Sequence, residues 1–117
     1  MADYWKESPP ILREFLNYHE SILSHSAQTV DEYFLDLRGF FRYLKMTRNP
    51  DLADVPFQEI SILDVDLEFV SKTQLSEIYG FLTFLTGGGA FGKAESTTRA
   101  RKCASIRSFY NYLCVHA

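Results

Sequence analysis

From residue 30 to residue 44 the apolar side chains recur in steps of three and four: Val30, Tyr33, Phe34, Leu37, Phe40, Phe41 and Leu44. Only an α-helix gathers such a series on one face, since its period is 3.6 residues. The stretch therefore reads as a long helix over residues 27–46, with Ser26 as its cap. Asp31 and Glu32 fall near the positive end of that helix, and Arg42 and Lys45 near the negative end, where each sign is stabilising. Gly39 interrupts the run at a cost of about 1 kcal/mol, which suits a point where another helix comes close.

Three further helices flank it. Residues 1–8 read as a loose start. Ser8 can cap a helix over residues 9–24 that opens on Pro9 and Pro10, where a missing amide hydrogen costs little. Its apolar face is Ile11, Leu12, Phe15, Leu16, Tyr18, Ile22 and Leu23. Residues 47–70, punctuated by Asn49, Pro50 and Pro56, read as a wrapped connection with one short helical turn near residues 65–69, because no partner strand is evident. Ser71, with Gln74 three residues on as a capping box, opens a helix over residues 72–86. Leu75, Ile78, Tyr79, Phe81, Leu82 and Leu85 are its apolar face, and Gly87-Gly88-Gly89 ends it. A last helix spans residues 97–115. The expectation is an all-α single domain over residues 1–117 with four main helices.

The net charge of −3 conceals an asymmetry. Residues 93–117 carry five basic side chains against Glu95 alone, a net of +4, while residues 1–92 carry a net of −7. Charges commonly do no more than cover solvated faces. A basic strip on an acidic body is nevertheless the minimum electrostatic requirement for contact with a nucleic acid. The strip is the last helix: Arg99, Arg101, Lys102 and Arg107 stand among apolar residues. Cys103, Ile106, Tyr110, Leu113 and Cys114 form its apolar stripe, and Arg101, Ser105, Ser108 and Tyr112 fall on another face.

Composition excludes several classes. With 46% hydrophobic residues and eighteen aromatic ones, 117 residues suffice for a real core, which argues against disorder. No run approaches the roughly 20 apolar residues of a membrane span, and no signal peptide is expected at the start. Cys103 and Cys114 lie roughly 16 Å apart on one straight helix, too far for a disulfide, and fit reduced residues of a cytoplasmic protein. His19, His25 and His116 lack companions at ligand spacing, so neither metal nor cofactor is expected. The glycine run lacks the lysine-hydroxyl pair of a phosphate loop. Tyr110 and Tyr112 lie beside cations, but no cluster of arginines and histidine is present to activate a tyrosine nucleophile. The residues make no complete active site.

Two segments resemble the N-terminal core-binding, or SAM-like, domain of tyrosine recombinases of the phage-integrase and Xer type. In residues 26–44 the order is Ser26, Thr29, Tyr33, the Asp36-Leu37 pair and the aromatic end Phe40-Phe41-Arg42-Tyr43-Leu44. In residues 98–113 it is Arg101, then Ile106-Arg107-Ser108-Phe109-Tyr110, then Tyr112-Leu113. Cys103-Ala104-Ser105 stands where the family commonly has Leu, Ser and Ala, and Asp31 and Glu32 replace residues that are often basic. The resemblance covers the chain from about Pro10 onward. It implies a compact orthogonal bundle that closes, with a following catalytic domain, around duplex DNA as a C-shaped clamp. The second and fourth helices would face the major groove. The catalytic domain, absent from this chain, would cleave and rejoin strands through a covalent phosphotyrosine.

The resemblance, joined to the charge pattern, nominates Ser26, Thr29, Arg99, Arg101, Lys102, Ser105 and Arg107 as DNA-binding residues. Ser26 and Thr29 can offer hydroxyls and free amides at a helix N-terminus, although Ser26 is equally a plain cap. The implied partners are double-stranded DNA, the catalytic domain of the same protein and other recombinase protomers, with no membrane. The competing expectation is a helical protein-interaction module whose basic helix docks an acidic partner.

Overall fold

A computed structural model describes residues 4–87 and 96–116; Gly88, Gly89, Lys93 and Glu95 lie outside the described residues. The elements are α1 (Tyr4–Glu7), α2 (Pro10–Asn17), a π-helical turn (Tyr18–Ile22), α3 (Ala27–Arg48), 3-10 turns at Pro50–Leu52 and Phe57–Glu59, α4 (Leu67–Ser71), α5 (Leu75–Thr86) and α6 (Ser96–His116). No strand occurs among the described residues, and the all-α expectation holds.

The start of the chain is more ordered than its sequence promises. Residues 4–7 form a helical turn whose Glu7 accepts a 2.9 Å hydrogen bond from Arg38 of α3. A distant partner anchors a turn too short to signal itself. Ser8 is buried, and the cap of α2 is Pro9, whose carbonyl accepts from Leu12 and Arg13 N–H at 3.0 Å. At the other end the π-helical turn inserts an extra residue per turn and swings the side chains around. Ile22 and Leu23 consequently leave the apolar face and are exposed. The turn stops at Ser24, whose φ of 57° lies in the left-handed region, with His25 N–H donating to the His19 carbonyl at 2.9 Å.

The same turn creates a histidine pair. His19 is buried against Phe15 and Tyr33, and its Nδ1 lies 3.0 Å from His25 Nδ1. One ring must carry its proton at Nδ1 and the other must not, so both cannot be charged and keep the bond. Burial, and next the neighbouring His25, hold the His19 imidazole below its ordinary value. The unfolded chain therefore binds that proton more readily than the folded one. Its stabilising effect is whole above the ordinary imidazole value of about 6.5 and is lost as pH falls below it. Urea midpoints should decline between neutral pH and pH 5, and His19→Gln should flatten that decline; an unchanged slope in the variant would discount the pair.

α3 is the spine. Val30, Phe34, Leu37, Phe40, Phe41 and Leu44 are all fully buried, and α2, α5 and α6 pack around them. Its cations hold the connection that follows. Arg42 donates through Nε to the Ile60 carbonyl at 2.9 Å, and Lys45 reaches the Ser61 carbonyl at 2.7 Å and Asp64 at 2.6 Å. Ile60, Ile62 and Val65 turn inward without a partner strand, the Ile60 and Ser61 carbonyls being satisfied by α3 side chains instead. Asp66 accepts from Phe69 N–H at 2.9 Å and starts α4. The capping box lies later than Ser71: Gln74 is the cap of α5 and Glu77 its reciprocal partner, while the Ser71 hydroxyl is used on the Glu68 carbonyl at 3.0 Å. Leu75 and Tyr79 of α5 face solvent, whereas Phe81 and Leu85 enter the core. Close approach to α3 occurs at Gly80, where an added Cβ would stand 2.5 Å from the Tyr43 hydroxyl.

α6 closes the core with Ser105, Ile106 and Phe109. Tyr112 belongs to the packed side, its ring 5.4 Å from Phe15 and 5.2 Å from Tyr18, while Cys114 is exposed. The helix is apolar enough on several sides that its period alone misplaces these two. Tyr110 is half-buried; its hydroxyl donates to the Val70 carbonyl at 2.9 Å and lies 2.8 Å from the Thr73 hydroxyl, a packing role that joins α6 to the α4–α5 corner.

Candidate nucleic-acid interface

Asp36 lies three residues after Tyr33 and four before Phe40, hence on the core side of α3, and is 0% exposed. An ionised carboxylate there is untenable without partners. α6 supplies them. Arg101 donates through Nη2 to Oδ1 at 2.8 Å and through Nε to Oδ2 at 3.3 Å. Lys102 Nζ adds a bond to Oδ1 at 3.0 Å, and Ser105 Oγ donates to Oδ2 at 2.7 Å. Each carboxylate oxygen thus accepts two bonds, which fills its capacity. Arg101 and Ser105, four residues apart, share one face of α6, so the helical period itself aims both at one acceptor.

The clasp joins two cations to one anion, with Glu32 beside them at the same cleft. Its cationic end is accessible: the Arg101 side chain is 46% exposed, against 16% for Lys102 and 0% for Asp36. The hydrogen bond that Arg101 donates to Asp36, with the Asp36 and Glu32 charges, holds its guanidinium above the ordinary value despite partial burial. Its Nη1 takes no part in the fork. Beside it opens a cleft of about 180 Å³ lined by Thr29, Glu32, Tyr33, Asp36, Arg101, Ala104 and Ser105.

The nominated residues divide accordingly. Thr29, Arg101 and Ser105 meet at this cleft, with Lys102 joined to them through Asp36. Ser26 caps α3: its Oγ accepts from Thr29 N–H at 3.2 Å and lies 3.0 Å from the Thr29 hydroxyl. Arg99 is half-buried in the first turns of α6 and Arg107 is exposed further along it; neither lines the cleft. Asp36 itself was nominated by nothing but its place in the Asp-Leu pair. An acid interrupting a core stripe is the signal that calls for a buried cation partner.

The other α3 cations serve the fold. Arg48 binds Glu77 through Nε at 2.8 Å and Nη2 at 3.0 Å, donates to the Phe69 carbonyl at 2.8 Å, and covers the Phe69 ring at 4.5 Å. Among the described residues no group of three or more His, Cys, Asp or Glu could hold a metal ion, and no helix is long and apolar enough to cross a membrane.

Comparison with known proteins gives this arrangement a setting. The chain is 45% identical over 105 residues, 90% of its length, to a protein named tyrosine recombinase XerC from Caldanaerobacter subterraneus subsp. tengcongensis. It is related to the tyrosine recombinases. Proteins of the same name from Chlorobaculum tepidum and Listeria innocua are 32% and 30% identical over 87% and 86% of the chain. The chain spans 26–29% of the length of these recombinases. No family model matches it, and no solved structure does so significantly.

Proposed function

We propose that this chain is the N-terminal DNA-binding domain of a site-specific tyrosine recombinase, and that it seats duplex DNA against α6 and the start of α3. Strand cleavage and rejoining are assigned to a catalytic domain elsewhere in the parent protein, which completes the clamp. The observation that carries the reading is the clasp at Asp36. It joins α3 to α6 and leaves the cationic, exposed Arg101 at their junction, on the two helices that this reading turns towards DNA. Arg101 is the best-placed side chain for a phosphate or base edge, Arg99 and Arg107 add cations on other sides of α6, and the capped α3 N-terminus with Thr29 offers further donors.

Salt dependence tests this directly. Binding of the 117-residue chain to a short duplex should weaken linearly in log–log form as salt rises, and Arg107→Ala should flatten the slope by about 0.9 per lost phosphate contact. Affinity independent of salt would sink the proposal. Displacement by an acidic protein, without duplex binding, would favour the docking module instead.

A further inference from the structure

We propose that Asp36 is a positioning residue for DNA recognition: it holds Arg101 in a two-pronged fork, so that α6 meets DNA with that guanidinium in one orientation and with part of its charge withheld. The inference rests on the DNA-binding reading above. An arginine free on a helix surface samples many rotamers and can follow any phosphate, whereas a guanidinium held through Nε and Nη2 presents only its remaining edge. Here the anchor is rigid. Asp36 is fully buried on α3, both its oxygens are saturated, and the Ser105 hydroxyl adds a second bond to Oδ2. Lys102, mostly covered, is committed to the same acceptor, so the clasp restrains two of the four cations of α6.

Asp36→Asn separates this role from simple packing. The amide keeps the shape of the side chain. Its oxygen can still accept from Arg101 Nη2 and Lys102, and its NH2 can donate to Ser105, whose hydroxyl also accepts. Arg101 Nε and the Ser105 hydroxyl proton both lose Oδ2 as acceptor, Ser105 turning to accept from the new NH2, and the charge of the cluster rises by one positive unit. The released charge should recruit about one more phosphate, steepening the log–log salt slope by about 0.9 and raising affinity for a random-sequence duplex at low salt. A variant with native circular dichroism and an unchanged slope would overturn the proposal.

Arg101→Lys provides the second arm, needed if Asp36→Asn does not fold. Lysine keeps the charge and can reach Asp36, but cannot form the fork. The expected result is an unchanged salt slope with affinity several-fold weaker than wild type. Wild-type affinity would mean that the orientation of Arg101 is immaterial and would overturn the proposal. A wild-type chain whose duplex binding ignores salt would refute the DNA reading itself, before either variant is compared.

Discussion

Replacing Phe109 by alanine should cost about 3–5 kcal/mol of folding free energy, the largest effect expected of any single side chain in α6. The ring is 0% exposed and stands edge-on to Phe15 at 5.4 Å and to Phe41 at 5.4 Å. It therefore ties α2, α3 and α6 at one point, and both geometries are the edge-to-face kind that add to burial. Truncation would leave a hole among rings that cannot collapse without moving whole helices. Domains of this size have about 5–15 kcal/mol in total, so the variant should be marginal at room temperature. Urea unfolding followed by circular dichroism would show a lower midpoint at a similar slope. A loss below about 1 kcal/mol would contradict the packing described for this ring.

Arg48→Ala should cost about 2–4 kcal/mol, through a different mechanism. The guanidinium satisfies both oxygens of Glu77, the Phe69 carbonyl and, at 3.1 Å, the Thr73 hydroxyl. Removing it leaves a mostly covered carboxylate with the Gln74 N–H but no cation, and takes the side-chain donor from the Phe69 carbonyl. Arg48→Lys should rescue little, since one ammonium cannot span the same acceptors. The pH dependence supplies a second readout. The hydrogen bond from Arg48 is the main influence holding the Glu77 carboxyl below the usual carboxylate range. The stabilisation from Glu77 is thus present above that range and disappears as acid titrates the group, and the Arg48→Ala variant should lose this part of the acid sensitivity. Equal acid sensitivity in both proteins would argue against the pairing.

The residues that were legible beforehand are those whose neighbours lie within a helical turn or two. The α3 stripe from Val30 to Leu44 is such a case: the period identifies both the helix and its buried face. Ser26 as a cap needs only the next turn. What escaped depends on partners far along the chain. Glu7 gives residues 4–7 an anchor through Arg38, thirty-one positions away, and Asp36 finds its partners sixty-five and more positions on. Tyr112 and Cys114 were misassigned because aromatic and aliphatic residues surround α6, so that no single stripe dominates its period. Leu75 and Tyr79 look like core and are not; nothing local reports that α5 buries only the side bearing Phe81 and Leu85. For the candidate site, composition singled out the cations, but not that two of them converge on one buried acid.

The central position of α3 has a consequence for how the molecule comes apart. α2, α5, α6 and both 3-10 turns each lean on this one helix. α5 and α6 also touch one another, but the fully buried series from Val30 to Leu44 belongs to α3, so a partial structure that discards it loses much of the core. Opening of the domain is thereby forced towards an all-or-none event. The amides in the middle of α3, around Phe40 and Phe41, should exchange with solvent only through global unfolding, while those near the π-helical turn exchange through smaller local openings.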